Sequence, residues 1–324
     1  MRRRELLAGL LATTAASALS AAEPDKVYRL AVCTPFGLDH RSHLFSRLRQ
    51  LGYAEGQNLI VDRYVAGLRP EYYAEIAREM VQQSPDAIAL AVDNQLISEI
   101  AKETHTIPII ALIPSIDAGL VRNMSRPEGN ITGVTLDAGI EMQGKLLDIL
   151  RQAVPTASRI AYLSNRYDWE GAWGRAVLDA SRRSGVSIIG IPVEHSAGEE
   201  DYRKAFETMV QDAADALIFN GLAPNAYYSK LIAALAFTNR LPSICWNLDV
   251  VRKGPGFLCY TPKFGGTTEK WADQIDQVLR GAKVSDIPIY QPTKFILAIN
   301  LKTAKALALE IPTSLISIAD EVIE

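Results

Sequence analysis

The chain has 324 residues, with 34 Lys and Arg against 37 Asp and Glu, and 48% of its residues are hydrophobic. That length suits about two domains of ~100–200 residues each, and the composition is that of a globular protein, which excludes a disordered chain. A formal net charge of -3 argues against the clustered basic face that nucleic acid requires, and three cysteines exclude a disulfide-built scaffold.

The chain opens with Arg2-Arg3-Arg4, a short apolar run from Leu6 to Ala12, and small residues ending at Ser20-Ala21-Ala22. A positive start, a short apolar core and an A-x-A-like site read as an export signal over residues 1–22, with cleavage after Ala22. The expected location is therefore the periplasm. Arg3-Arg4-Glu5-Leu6-Leu7 also resembles a twin-arginine signal, which exports folded chains; the general route is the alternative. A buried N-terminal helix is a third reading. Beyond this segment no apolar run of ~18 residues occurs, so the protein is not expected to be membrane-embedded.

Val27–Thr34 is a continuous apolar run, as in a strand buried on both faces. Leu44, Leu48 and Leu51 then recur at helical spacing, and Gly52 supplies a stop. Leu59–Ala66 reads as a strand, and Pro70 opens a helix striped by Tyr73, Ile76, Ala77, Met80 and Val81. Strands follow at Asp86–Val92, Pro108–Ile113 and Ile131–Thr135, with helices at Gln95–Thr104 and Glu141–Ala153. The pattern then restarts. Strands are expected at Arg159–Ser164, Ser187–Val193, Ala216–Asn220, Ser243–Trp246 and Gly256–Tyr260. Between them, Trp169, Trp173, Val177 and Ala180 stripe a helix ending at Gly185, and further helices cover Tyr202–Gln211 and Ala226–Thr238. The tail holds a helix at Thr267–Arg280, a strand at Phe295–Ile299 and a helix at Leu301–Leu309.

Repeated strand–helix units imply parallel sheets with right-handed crossovers, and two runs imply an α/β protein of two doubly wound, Rossmann-like lobes. Ligands of such folds sit just past the carboxyl ends of the strands. Candidate ligand contacts are therefore Thr34, Phe36, Asp93, Asn94 and Ser115 in the first lobe. In the second they are Asp137, Asn165, Tyr167, Trp169, Asn220, Trp246, Asn247 and Tyr260. Asn94 is equally a helix cap, Asp137 a helix N-terminal charge and Trp169 a core residue packed with Trp173. Arg166 lies near the same rim as a partner for an acidic ligand.

Enzyme devices are missing from the sequence. There is no GxxxxGK[ST] phosphate loop, no GxGxxG after the first strand, no GxSxG and no HExxH. Gly254-Pro255-Gly256 reads as a turn. His40 and His43 read as a surface pair, and His105 and His195 sit beside surface turns. Cys33 and Cys259 lie in apolar runs as buried thiols, and at most one cysteine pair can form. Neither catalytic residues, nor a metal, nor a cofactor is expected.

Several segments carry a resemblance. They are Leu51-Gly52-Tyr53-Ala54-Glu55-Gly56-Gln57-Asn58-Leu59, Thr106-Ile107-Pro108-Ile109, and Ala118-Gly119-Leu120-Val121. Ser125-Arg126-Pro127-Glu128-Gly129-Asn130-Ile131-Thr132-Gly133, Gln291-Pro292-Thr293-Lys294-Phe295, Ile299–Leu307 and Asp320-Glu321-Val322-Ile323 complete the set. Together they resemble the substrate-binding components of ABC transporters related to tryptophan- and tyrosine-binding proteins. The resemblance implies a type I periplasmic binding-protein architecture, with a ligand cleft between two lobes joined by three crossings. It places lobe one at 26–136 plus 262–283 and lobe two at 137–261 plus 284–324. It implies capture of a small ligand by hinge closure, and partners in a membrane permease and its ATP-binding subunit; a monomer is expected. An exported sensor handing its state to a membrane signalling protein is the alternative, and an exported α/β enzyme a weaker one. The family's "DPV" before the Ala118 segment is replaced here by Pro114-Ser115-Ile116. A carboxylate that would meet a ligand ammonium is thus absent from that position.

Overall fold

The computed structural model describes residues 26–324 apart from 36–41, 68, 92, 115, 117–118, 137–138 and 264–265. The export-signal reading, and the candidates Phe36, Ser115 and Asp137, lie outside the described residues.

The first sheet has five parallel strands: β1 (Tyr28–Thr34), β2 (Leu59–Val65), β3 (Ala87–Leu90), β4 (Ile109–Ile113) and β5 (Ile131–Thr135). Their spatial order is β2-β1-β3-β4-β5, so the winding direction reverses between β1 and β3. Alternation along β1 shows why the run is apolar throughout. Leu30 and Val32 join a core with α1 (His43–Gln50), while Ala31 and Cys33 join one with α2 (Tyr73–Gln82) and α3 (Asn94–Glu103). Each fully buried aliphatic or aromatic side chain contributes about 1.5–3 kcal/mol, so a strand sandwiched this way is strongly held.

The second sheet has seven strands in the order β12-β11-β10-β9-β8-β6-β7. They are β6 (Arg159–Asn165), β7 (Ser187–Val193), β8 (Ala216–Phe219), β9 (Ser243–Cys245), β10 (Leu258–Pro262), β11 (Phe295–Asn300) and β12 (Glu321–Ile323). One face packs against α4 (Glu141–Ala153) and α6 (Ala172–Ser184). The other packs against α7 (Glu199–Gln211), α8 (Asn225–Thr238) and α9 (Leu248–Arg252). Strands β6 to β10 pair in parallel, with the switch between β6 and β8, whereas β11 runs antiparallel to β10. The two sheets form two Rossmann-like α/β lobes.

The expected helix striped by Trp169 and Trp173 is in fact two helices, α5 (Arg166–Glu170) and α6, broken at Gly171. The break lets the chain fold back on itself: a Cβ on Gly174 would lie 1.8 Å from the Trp169 carbonyl oxygen. Trp169 therefore does not share a stripe with Trp173. Its ring lies over Gly190 of β7, where a Cβ would meet the indole at 2.0 Å.

After β10 the chain returns to the first lobe as α10 (Thr267–Leu279). Trp271 donates its indole N–H to the Ile110 carbonyl at 2.8 Å, and Gln274 donates to Gly133 at 2.9 Å. Gly133 is at φ +147, and a Cβ there would sit 1.9 Å from the Ala111 carbonyl oxygen, so β5 can lie this close to β4 only with glycine. The segment 284–290, assigned by resemblance to lobe two, packs on the first lobe. Val284 and Ile287 enter its core, Thr132 donates to the Ile287 carbonyl at 2.7 Å, and Tyr290 bridges to Val134. The last crossing therefore falls after residue 290. Two further helices, α11 (Leu301–Ala306) and α12 (Thr313–Ser317), close the tail.

All three cysteines are buried and reduced, and Cys245 and Cys259 are register partners on β9 and β10. Burial pushes the Cys33 thiol up to about 12. The hydrogen bond with Cys245, and burial after it, raise the Cys259 thiol well above its ordinary value. Because the thiolate is the reactive form, native protein at pH 8 is expected to resist iodoacetamide. Denatured without reductant, it should take up three carbamidomethyl groups by mass spectrometry; uptake of one only would reveal a disulfide and contradict this packing.

Candidate functional site

Both winding switches bring polar residues to the carboxyl edge of a sheet, where an open α/β lobe leaves a crevice. In the first lobe this edge holds Thr34, buried at the end of β1 with no partner for its hydroxyl, and Asp93 just past β3. Asp93, not Asn94, is the N-cap of α3: its Oδ1 accepts from the Leu96 amide at 3.0 Å. Asn94 is the first helical residue, and its carbonyl accepts from the Ser98 hydroxyl at 3.0 Å.

The second carboxylate oxygen of Asp93 is the meeting point of the two lobes. It accepts from the Tyr73 hydroxyl at 2.5 Å and lies 3.0 Å from His195 Nε2, just past β7 of the other sheet. Tyr73 and His195 are themselves 3.4 Å apart. Burial alone would raise the Asp93 carboxyl. Hydrogen bonds from His195 and Tyr73, the His195 charge and the Leu96 amide together outweigh burial and hold it below the usual carboxylate range. Burial, and then the Asp93 charge, raise the Tyr73 phenol, so it stays protonated and donates.

In the second lobe the switch crevice is filled by a hydrogen-bonded platform. Asn165, at the end of β6, caps α5 by accepting from the Asp168 amide at 2.8 Å. Its Nδ2 donates to the Asp168 carboxylate at 2.8 Å, and Asn220 Nδ2 donates to the same oxygen at 3.2 Å. Asn225 links Asn220 to the Leu163 carbonyl and accepts from the Tyr202 hydroxyl at 2.8 Å. The structure thus joins Asn165 and Asn220 through Asp168, but all are buried and committed to one another. Amide side chains in loops after strands find backbone or side-chain partners here, as buried polar groups must.

Beside this platform lies a cavity of 580 Å³ at the ends of β8, β9 and β10, next to Leu136 on the first crossing. Its walls include Gly221, Leu222, Ala226, Trp246, Asn247, Thr261, Lys263 and Ile296. Trp246 packs on Trp173 with ring centroids 5.1 Å apart, and Gly221 makes room for it: a Cβ there would meet Trp246 Cβ at 2.7 Å. Asn247 caps α9 through the Asp249 amide at 3.0 Å and donates to the Ser229 hydroxyl at 2.9 Å. Neither the Trp246 indole N–H nor the Thr261 hydroxyl has a hydrogen-bond partner.

The remaining candidates stand apart from this wall. Tyr260 stacks on Phe295 at 5.2 Å with the rings 9° from parallel, and burial raises its phenol. Tyr167 is 69% exposed. Arg166 pairs with Glu194 at 2.6 Å and Glu170 at 3.5 Å, so its charge is already answered. Sequence reasoning missed Tyr73, His195, Asp168, Gly221, Thr261 and Lys263. His195 looked like a turn residue because its partner lies in the other lobe.

A sequence model of the ABC transporter substrate binding protein family matches residues 35–323. The chain belongs to this family. A tyrosine-binding protein of Clostridioides difficile (strain R20291) is 23% identical over 272 residues, covering 81% of this substrate-binding protein and 74% of the relative. Among solved structures, a conserved domain protein of Vibrio cholerae O1 biovar El Tor strain N16961 superposes with a TM-score of 0.79. It is 19% identical, over 92% of this chain and all of the other. An ABC domain in complex with L-Trp from Streptococcus pneumonia gives a TM-score of 0.76 at 18% identity over 92% of this chain and 100% of the other. These structural likenesses speak for the fold. Among the described residues no helix is long and apolar enough to cross a membrane, and no cluster of three or more His, Cys, Asp or Glu side chains could hold a metal.

The depressed Asp93 carboxyl sets a sign for acid sensitivity. A carboxylate stabilised by folding contributes fully above its unfolded value, about 3.9, and loses that contribution as pH falls through the lower folded value. Urea unfolding followed from pH 7 to pH 2.5 should show the wild type losing more stability than Asp93→Asn, with the difference confined to below about pH 4. Parallel pH profiles for the two proteins would contradict the bridge.

Proposed function

We propose that the protein is the solute receptor of an ABC importer, working in the periplasm after removal of residues 1–22. A small ligand enters the cleft between the lobes, the hinge closes, and the closed form is handed to a permease whose ATP-binding subunit supplies the energy. No bond is made or broken. The observation that carries this reading is the Asp93–Tyr73–His195 bridge between the lobes, together with a cavity at the carboxyl edge of the second sheet. A contact that exists only when the lobes meet favours the closed state, and a ligand touching both lobes adds to it. The size of the cavity and its few polar groups on an apolar wall suit a small organic molecule.

We assign the wall to Trp246, Asn247, Thr261, Lys263, Leu136 and Ile296. The Asn165–Asp168–Asn220–Asn225 platform holds the loops that carry this wall and does not itself grip the ligand. The tyrosine-binding relative and the L-Trp-bound structure motivate testing aromatic solutes first.

Native mass spectrometry of freshly exported protein, without refolding, is expected to show a bound small molecule. Its mass should be unchanged after release and re-addition. A ligand-free spectrum combined with no thermal stabilisation by any pooled metabolite would contradict a receptor, and conversion of the released molecule would point to an enzyme.

A further inference from the structure

We propose that Asn220–Gly221 is a self-modification site held shut by the platform of the second lobe: where the platform opens, Asn220 is converted to aspartate or isoaspartate with loss of ammonia. This is the only Asn–Gly step in the sequence. Glycine after asparagine is the pairing most prone to this reaction, because no side chain hinders the following backbone nitrogen and the chain bends freely there. The Gly221 backbone nitrogen, on giving up its proton to water or hydroxide, bonds to Asn220 Cγ. The Cγ–Nδ2 bond breaks, Nδ2 leaves as ammonia, and a cyclic imide remains. Water then adds to either imide carbonyl and opens the ring, to aspartate or to isoaspartate. The balance needs water alone.

Packing holds both residues of the step in place. A Cβ on Gly221 would lie 2.7 Å from Trp246 Cβ, so the position needs glycine while Trp246 packs on Trp173. Asn220 joins Asp168 to Asn225. Its Nδ2 donates to the Asp168 carboxylate at 3.2 Å, and its Oδ1 accepts from Asn225 Nδ2 at 3.1 Å. An ionised aspartate could not make the first of these bonds, since it has no N–H to give. The labile pair is thus part of the platform itself.

The same contacts guard it. Asn220 is 1% exposed, which keeps out the water that must take the proton and later open the ring. Both ends of the side-chain amide are held, so Cγ is not free to swing toward the Gly221 nitrogen. Reaction therefore needs a local opening of the platform. Once it has occurred, a carboxylate oxygen replaces Nδ2 beside the Asp168 carboxylate, and two like charges so close cannot both stay ionised in a buried site. The isoaspartate product also routes the backbone through the Asn220 Cβ, next to Gly221, which lines the cavity. Either product disfavours re-closing, so a transient opening becomes a permanent one.

Incubating the full chain in mildly alkaline buffer, native and in guanidinium chloride, tests this when amide loss at each asparagine is followed by peptide mapping with mass spectrometry. Unfolded, Asn220 should lose its amide faster than every other asparagine. Native, it should react at least about tenfold more slowly than when unfolded. Asn220→Asp, which carries the charge of the product, should melt below wild type, and adding Asp168→Asn should restore part of the loss. A native rate equal to the unfolded one, or another asparagine reacting first in the unfolded chain, would overturn the proposal. So would an Asn220→Asp protein that melts with wild type or gains nothing from Asp168→Asn. None of these measurements involves a ligand, so their outcome is separate from that of the receptor reading.

Discussion

Asp93 begins α3 with both carboxylate oxygens in use, and one of them is shared by a tyrosine of its own lobe and a histidine of the other. The geometry of the cleft depends on this oxygen. The other oxygen caps a helix in the first lobe, so the carboxylate cannot drift, and the side chain is largely sheltered from water, so its hydrogen bonds are worth more than on an open surface. The capped end of α3 thus gives His195 of the other lobe a fixed partner. Under the proposed hinge closure, this 3.0 Å contact would be gained only as the lobes meet and would bias the closed state.

The two lobes use the same winding but treat their switch points differently. In the first, the crevice carries a carboxylate whose partner lies across the cleft. In the second, it is packed with amides around Asp168, which closes the crevice and hardens it. The open space is displaced to the ends of β8, β9 and β10, beside the crossing at Leu136. Fixed polar network, apolar wall and the crossing at Leu136 therefore lie side by side. Gly221 is part of this arrangement, because its missing Cβ is the space that Trp246 fills.

Much of the fold was legible because the sheets are buried on both faces. Runs such as Val27–Thr34 and Arg159–Ser164 have no polar side to confuse the pattern, and they became β1 and β6 nearly residue for residue. The three-residue β12 has no such run, since it is an edge strand held by pairing with β11. The helix around Trp169 was misjudged because spacing four apart says nothing about a break at Gly171. Of the residues expected at the strand ends, Trp246 and Asn247 lie on the cavity wall. Chemistry within that edge was less legible. Asn165 and Asn220 look like ligand groups in sequence but spend their amides on Asp168, and the value of His195 depends on a residue 102 positions away, which no local pattern encodes.

The central claim is that the lobes close on a ligand and that the Asp93–His195 contact belongs to the closed form. Small-angle X-ray scattering of ligand-stripped protein, titrated with the co-purified molecule, measures this directly. The radius of gyration should fall on saturation, and His195→Ala should need a higher ligand concentration to reach the same contraction. Identical scattering with and without ligand, or an unshifted midpoint for His195→Ala, would contradict the account.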